Sequence, residues 1–140
     1  MKARIKWVEG RVFTGTSNSG HGVVIAAPEA PGAKTIAPSP MEYLLLGTGG
    51  CTATDVVMIL EKGRHDIRAV EVELDSERAP EDPKVFTKIH FHFKVTGKGL
   101  KPDTVERAIQ LSHEKYCSAS IMMAKAGAKL SHDFEIVEAA

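Results

Sequence analysis

The chain has 140 residues, 43% of them hydrophobic, which is enough for one domain with its own core spanning residues 1–140. Its 18 lysines and arginines are scattered and balance 18 aspartates and glutamates, so neither a nucleic-acid partner nor an anionic membrane surface is expected. Met1 to Trp7 has no secretory apolar core, and Glu42, Asp55 and several glycines interrupt the longest apolar run, so the expectation is a cytoplasmic protein with no membrane span.

In chain order, Ala3, Ile5 and Trp7 alternate with Lys2, Arg4 and Lys6, the pattern of a half-exposed strand. Glu9-Gly10 turns it into a second strand, Arg11 to Ser17, and Asn18-Ser19-Gly20 turns again before His21 and a third strand through Val23, Val24 and Ile25. Residues 27–38 carry three prolines and a glycine and read as a surface loop. Ser39, Pro40 and Glu42 then form a capping box for a helix that Gly63 ends, about 35 Å long at 1.5 Å per residue. It is apolar or small on nearly every side, the profile of a buried helix. Gly47, Gly49 and Gly50 each cost roughly 1 kcal/mol against alanine, so something must approach that turn closely. Cys51 sits at its end, with room beside it for a ligand or a second chain.

After the helix, Val70, Val72 and Leu74 alternate with acids, and Ile89, Phe91, Phe93 and Val95 alternate with Lys88, His90, His92 and Lys94. A turn over Ala79 to Pro83 makes the pair a long hairpin with one wet face. Pro102 opens a helix that Tyr116 and Cys117 close, Ser118 caps a short helix to Lys125 that Gly127 stops, and Lys129 to Val137 is a last strand. The fold class is therefore α+β, with the order β-β-β-α-β-β-α-α-β.

The two cysteines, Cys51 and Cys117, stand 66 residues apart. In a reducing compartment such a pair is more often catalytic, redox-active or buried than a structural disulfide, and spacing alone does not say whether they meet. Cys117, just ahead of a helix, has N–H groups and a helix dipole to favour its thiolate. Cys51 is mid-helix with Asp55 four residues on, which opposes a thiolate, so it needs a cation from another segment. His90 and His92 share a strand face without an evident third metal ligand. No phosphate loop, nucleophile elbow or Cys-x-x-Cys is present, and neither a cofactor nor a metal is expected.

Ser39-Pro40-x-Glu42, the small-residue turn ending in Cys51, and Tyr116-Cys117-Ser118-Ala119-Ser120 together resemble the OsmC/Ohr family of osmotically inducible and organic hydroperoxide resistance proteins, over almost the whole chain. Gly50-Cys51-Thr52-Ala53, Ser76-Glu77-Arg78-Ala79 and Val85-Phe86-Thr87 resemble its YhfA-like subgroup. The resemblance implies an intertwined homodimer around the two long helices. It also implies a thiol peroxidase: Cys51 takes oxygen from a small organic hydroperoxide or another electrophile, Cys117 resolves the sulfenic acid, and a small or lipoyl dithiol reduces the disulfide. In the family's peroxidases an acid after the proline holds an arginine against the thiolate; here that position is Met41. Glu42, about 900° of helical rotation from Cys51, faces the opposite side and suits the capping box, with a catalytic role as the alternative. Arg11 is the nearest match to the family arginine, and His21 is a candidate base or hydrogen-bond donor near Cys51. The competing readings are a non-catalytic or thiol-modified binding protein that has lost the arginine–acid clamp, and a structural dimer with buried cysteines.

Overall fold

In the computed structural model, which describes residues 1–140, β1 (Ala3–Glu9), β2 (Val12–Ser17) and β3 (Gly22–Ala26) form an antiparallel sheet in that order. Gly10, with φ +52°, makes the first turn in a region that favours glycine, and its carbonyl accepts a hydrogen bond from the Trp7 indole at 2.9 Å. With residues 27–39 and the first turns of α1 (Pro40–Lys62), this sheet makes one unit, Met1–Leu46; the second unit is Gly47–Ala140. The capping box forms as the sequence indicates: the Ser39 N–H donates to Glu42 Oε1 at 3.0 Å, and the Glu42 N–H donates to Ser39 Oγ at 3.3 Å. The Tyr43 hydroxyl donates to the Val24 carbonyl, tying the start of α1 to β3.

The second unit is built on β4 (Asp66–Arg78) and β5 (Phe86–Lys98), an antiparallel pair, with β6 (Lys129–Glu138) parallel to β5 on its other side. Ile89, Phe91, Phe93 and Val95 of β5 are fully buried, each contributing about 1.5–3 kcal/mol of burial. Against this core lie Val105, Ala108 and Ile109 of α2 (Pro102–Leu111) and Val56 and Leu60 of α1. Strand β4 begins four residues before the expected Val70 because a bulge between Ile67 and Ala69 breaks the alternation there.

Two local expectations are corrected. The helix after Pro102 does not run evenly to Cys117: α2 ends at Leu111 and widens into a π-helical turn, Ser112–Tyr116, closed by the Cys117 N–H donating to the Ser112 carbonyl at 2.7 Å. The cap of α3 (Ser118–Lys125) is then Cys117 and not Ser118, with Cys117 Sγ accepting from the Ser120 N–H at 3.4 Å. By length and composition α1 is apolar enough to cross a membrane despite Glu42 and Asp55, but here it serves as a core helix. Its spaced stripe of Thr48, Gly49, Thr52, Val56 and Leu60 is buried as part of the core. Of the three glycines, Gly49 has the close neighbour: a Cβ there would lie 2.6 Å from Leu74 Cδ1, whereas Gly47 and Gly50 face open space.

Candidate active site

In the second unit the sulfurs of Cys51 and Cys117 and a carboxylate oxygen of Asp55 all lie within 4.8 Å of one another. Helix α1 supplies Cys51 and Asp55, one turn apart on one face, and the π-helical turn delivers Cys117 to them. Both cysteines are free thiols; Cys117 is fully buried, and Cys51 is partly open.

Their surroundings reverse the expected order of acidity. Burial pushes the Cys51 thiol up, but the Ala119 N–H, the Cys117 thiol and the Ser118 hydroxyl, which lies 3.9 Å from its sulfur, together outweigh burial and the opposing Asp55 charge. They hold it below the ordinary cysteine value. Burial also pushes Cys117 up, and here it wins over the hydrogen bonds from Ser120. The first turn of α3 therefore serves Cys51 as much as its own cap, and supplies the positive end that Cys51 was expected to need from a cation.

Behind the thiols, Ser112 is buried and does two jobs. Its hydroxyl donates to Asp55 Oδ2 at 3.0 Å, so the 2.8 Å contact with Thr52 Oγ1 must have Thr52 as donor, since a hydroxyl has one proton. Its carbonyl meanwhile holds the Cys117 N–H. His113, one residue on, has its ring 4.6 Å from the Phe91 ring at a tilt of 55°, and its Nε2 is buried without a hydrogen-bond partner. Burial first, then the nearby His132, lowers its pKa to about 4. Beside Asp55, a groove of about 300 Å³ is lined by Met58, Ile59, Lys62, Leu111 and Tyr116. None of Ser112, Thr52 or His113 is marked in the sequence, because each acts across about 60 residues or through burial.

Arg11, His21 and Glu42 belong to the other unit, Met1–Leu46. Arg11 donates to the Pro28 carbonyl at 2.8 Å, His21 Nδ1 shares a hydrogen bond with Ser19 Oγ at 2.8 Å, and the Glu42 carboxylate is held by Ser39 in the capping box. His90 and His92 do have an acidic neighbour: Asp133 of β6 contacts His90 Nε2 at 3.0 Å and His92 Nδ1 at 2.8 Å.

The family model for OsmC-like proteins matches residues 31–133. The chain belongs to the OsmC-like family. It is 51% identical over 139 residues to Protein YhfA of Escherichia coli strain K12, covering 99% of this chain and all of that protein. A solved structure from structural genomics is 48% identical, with a TM-score of 0.89 over 99% of this chain and 100% of that one. The organic hydroperoxide resistance protein OhrB of Bacillus subtilis, 18% identical, shares the OsmC-like fold with a TM-score of 0.63 over 96% of this chain and 98% of its own.

Proposed function

We propose that this OsmC-like protein reduces organic hydroperoxides through Cys51 and Cys117. The Cys51 thiolate attacks the distal peroxide oxygen, the O–O bond breaks, and the leaving alkoxide takes a proton to become an alcohol. Cys51 is then a sulfenic acid; the Cys117 thiol attacks it, water leaves, and a disulfide forms. An external dithiol, small or lipoyl, restores both thiols as it is itself oxidised. The observation that carries this is the pair of sulfurs within 4.8 Å, one made more acidic and the other less. The apolar groove beside Asp55 suits an alkyl substituent, and the hydroperoxide named for OhrB is of that class. Arg11 and His21 enter as assisting groups near Cys51, and Glu42, held by Ser39, enters through the capping box that starts its helix.

The dimer itself is part of this proposal. Ile5 and Trp7 of β1, Val23 and Val24 of β3, and Leu44, Leu46 and Met58 of α1 are exposed, and a bare three-stranded sheet of this kind is stable only when its apolar face is covered. A second copy in the cytoplasm is the occupant this reading gives it.

The test is one equivalent of an organic hydroperoxide on the reduced protein, followed by mass spectrometry. Loss of two hydrogens per chain, mapped to a Cys51–Cys117 bond, is the expected result. Cys51→Ser abolishes turnover, and Cys117→Ser gains one oxygen and stalls; undiminished turnover in both variants overturns the mechanism. Met41, in place of an acid, favours a second reading, a binding or thiol-modified protein, in which both thiols survive the peroxide.

A further inference from the structure

Asp55 has no useful part in a purely nucleophilic site. Its charge opposes the Cys51 thiolate, yet Ser112 fixes it in place, and Thr52 fixes Ser112. Two thiols and a carboxylate converging within 4.8 Å also make a donor set for a borderline-soft divalent cation. Around a tetrahedral Zn²⁺, with bonds of about 2.3 Å to sulfur and 2.0–2.2 Å to oxygen, donor atoms stand about 3.5–3.8 Å apart. The three atoms here need to close by at most about 1.3 Å to reach that arrangement.

We propose that the reduced protein binds one Zn²⁺-type ion through Cys51 Sγ, Cys117 Sγ and an Asp55 carboxylate oxygen, with the fourth position left to water or another small ligand. The chemistry balances without a redox partner: two thiols release two protons, two S–metal bonds and one O–metal bond form, and the site as a whole goes from a charge of −1 to −1 plus two protons in solution. The cation reverses the sign of Asp55's effect, because a carboxylate that repels a lone thiolate stabilises a dication beside two. It also gives Ser112 a second purpose, since hydrogen-bonded outer groups orient a ligating carboxylate. The three ligands come from segments 4 and 62 residues apart in the chain, which is why no compact metal motif announces them.

The test is titration of the reduced, full-length protein with Co²⁺ under nitrogen. The expected result is a 1:1 complex with the near-ultraviolet charge-transfer band of two thiolates and the visible bands of tetrahedral cobalt, bleached by Zn²⁺. Asp55→Asn should weaken Zn²⁺ binding at least about tenfold, and Ser112→Ala by about 10–100-fold, the range for outer-shell groups. The protein oxidised to the Cys51–Cys117 disulfide should not bind. Absence of the charge-transfer band at one equivalent overturns the proposal, and so does unchanged affinity in Asp55→Asn. The readout does not involve peroxide, so metal binding and peroxidase activity stand or fall separately; if both hold, one equivalent of Zn²⁺ should protect both thiols from oxidation.

Discussion

Replacing Asp55 by asparagine isolates a single charge. Asparagine still accepts the Ser112 hydroxyl through its amide oxygen, so the Thr52–Ser112 chain survives and the core is unchanged. What disappears is the repulsion between a carboxylate and a thiolate no more than 4.8 Å apart. By Coulomb's law that is about 0.9 kcal/mol in a water-like medium and about 3.5 kcal/mol at an effective dielectric constant near 20. Cys51 is partly open to solvent, so the lower figure applies, and about 0.9 kcal/mol corresponds to about a fourfold larger thiolate fraction on the acid side of the thiol's midpoint. The assay is the rate of alkylation at Cys51 by iodoacetamide, a neutral reagent, at two pH values, with peptide mapping to separate Cys51 from the buried Cys117. The gain should shrink in high salt. An unchanged rate, or a slower one, refutes the assignment of Asp55 as an opposing charge and makes it a group that assists the thiol. The same substitution is expected to weaken metal binding, so one variant must move two measurements in opposite directions.

Gly49→Ala should cost about 1–3 kcal/mol in urea unfolding, because the added methyl meets Leu74, and Leu74→Ala should restore part of it. Gly50→Ala meets nothing within the chain, so a monomer should gain about 1 kcal/mol, whereas a helix packed against a second copy should show weaker self-association in sedimentation equilibrium. His113, its pKa lowered to about 4 in the folded chain against an ordinary 6.5, favours the neutral ring when folded. Its stabilisation is complete above pH 6.5 and is lost as pH falls from there to about 4, by about 1–2 kcal/mol once partial exposure is allowed for; a His113→Asn variant should flatten that slope. His92, raised first by Asp133 and then by Glu135, acts in the other direction and at higher pH, contributing stability that fades as pH rises through its folded value. Ser112→Ala should destabilise the fold by about 1–3 kcal/mol, since it leaves the buried Thr52 hydroxyl without its acceptor.

The order of elements was legible because each announces itself locally: the capping box at Ser39, the alternation around Phe91 and Phe93, the turn residues at Gly10 and Gly127. The two sulfurs were legible as a pair only through the family resemblance. What could not be read is whatever depends on distant partners. The bulge at Ile67 hides the first residues of β4, and a single π-helical turn is invisible to a 3.6-residue period. A helix N-terminus argued for an acidic Cys117, but burial is a property of the folded chain and reversed that expectation. Asp55 was recognised as an opposing charge, but nothing near it in sequence pointed to Ser112, 57 residues away.

The parallel pairing of β5 and β6 has a kinetic side. Parallel neighbours cannot be joined by a hairpin, so residues 99–128 must leave the sheet, fold as α2, the π-helical turn and α3, and return before β6 can dock. Contacts that close so long a loop form late in folding. Cys117 rides on that intervening segment, which must fold back before its sulfur can lie beside Cys51. A chain with two cysteines has one possible internal pairing. Under the proposed dithiol mechanism, that bond under a mild oxidant becomes a chemical signature that residues 99–128 have folded back to Cys51, and incompletely folded chains should lack it.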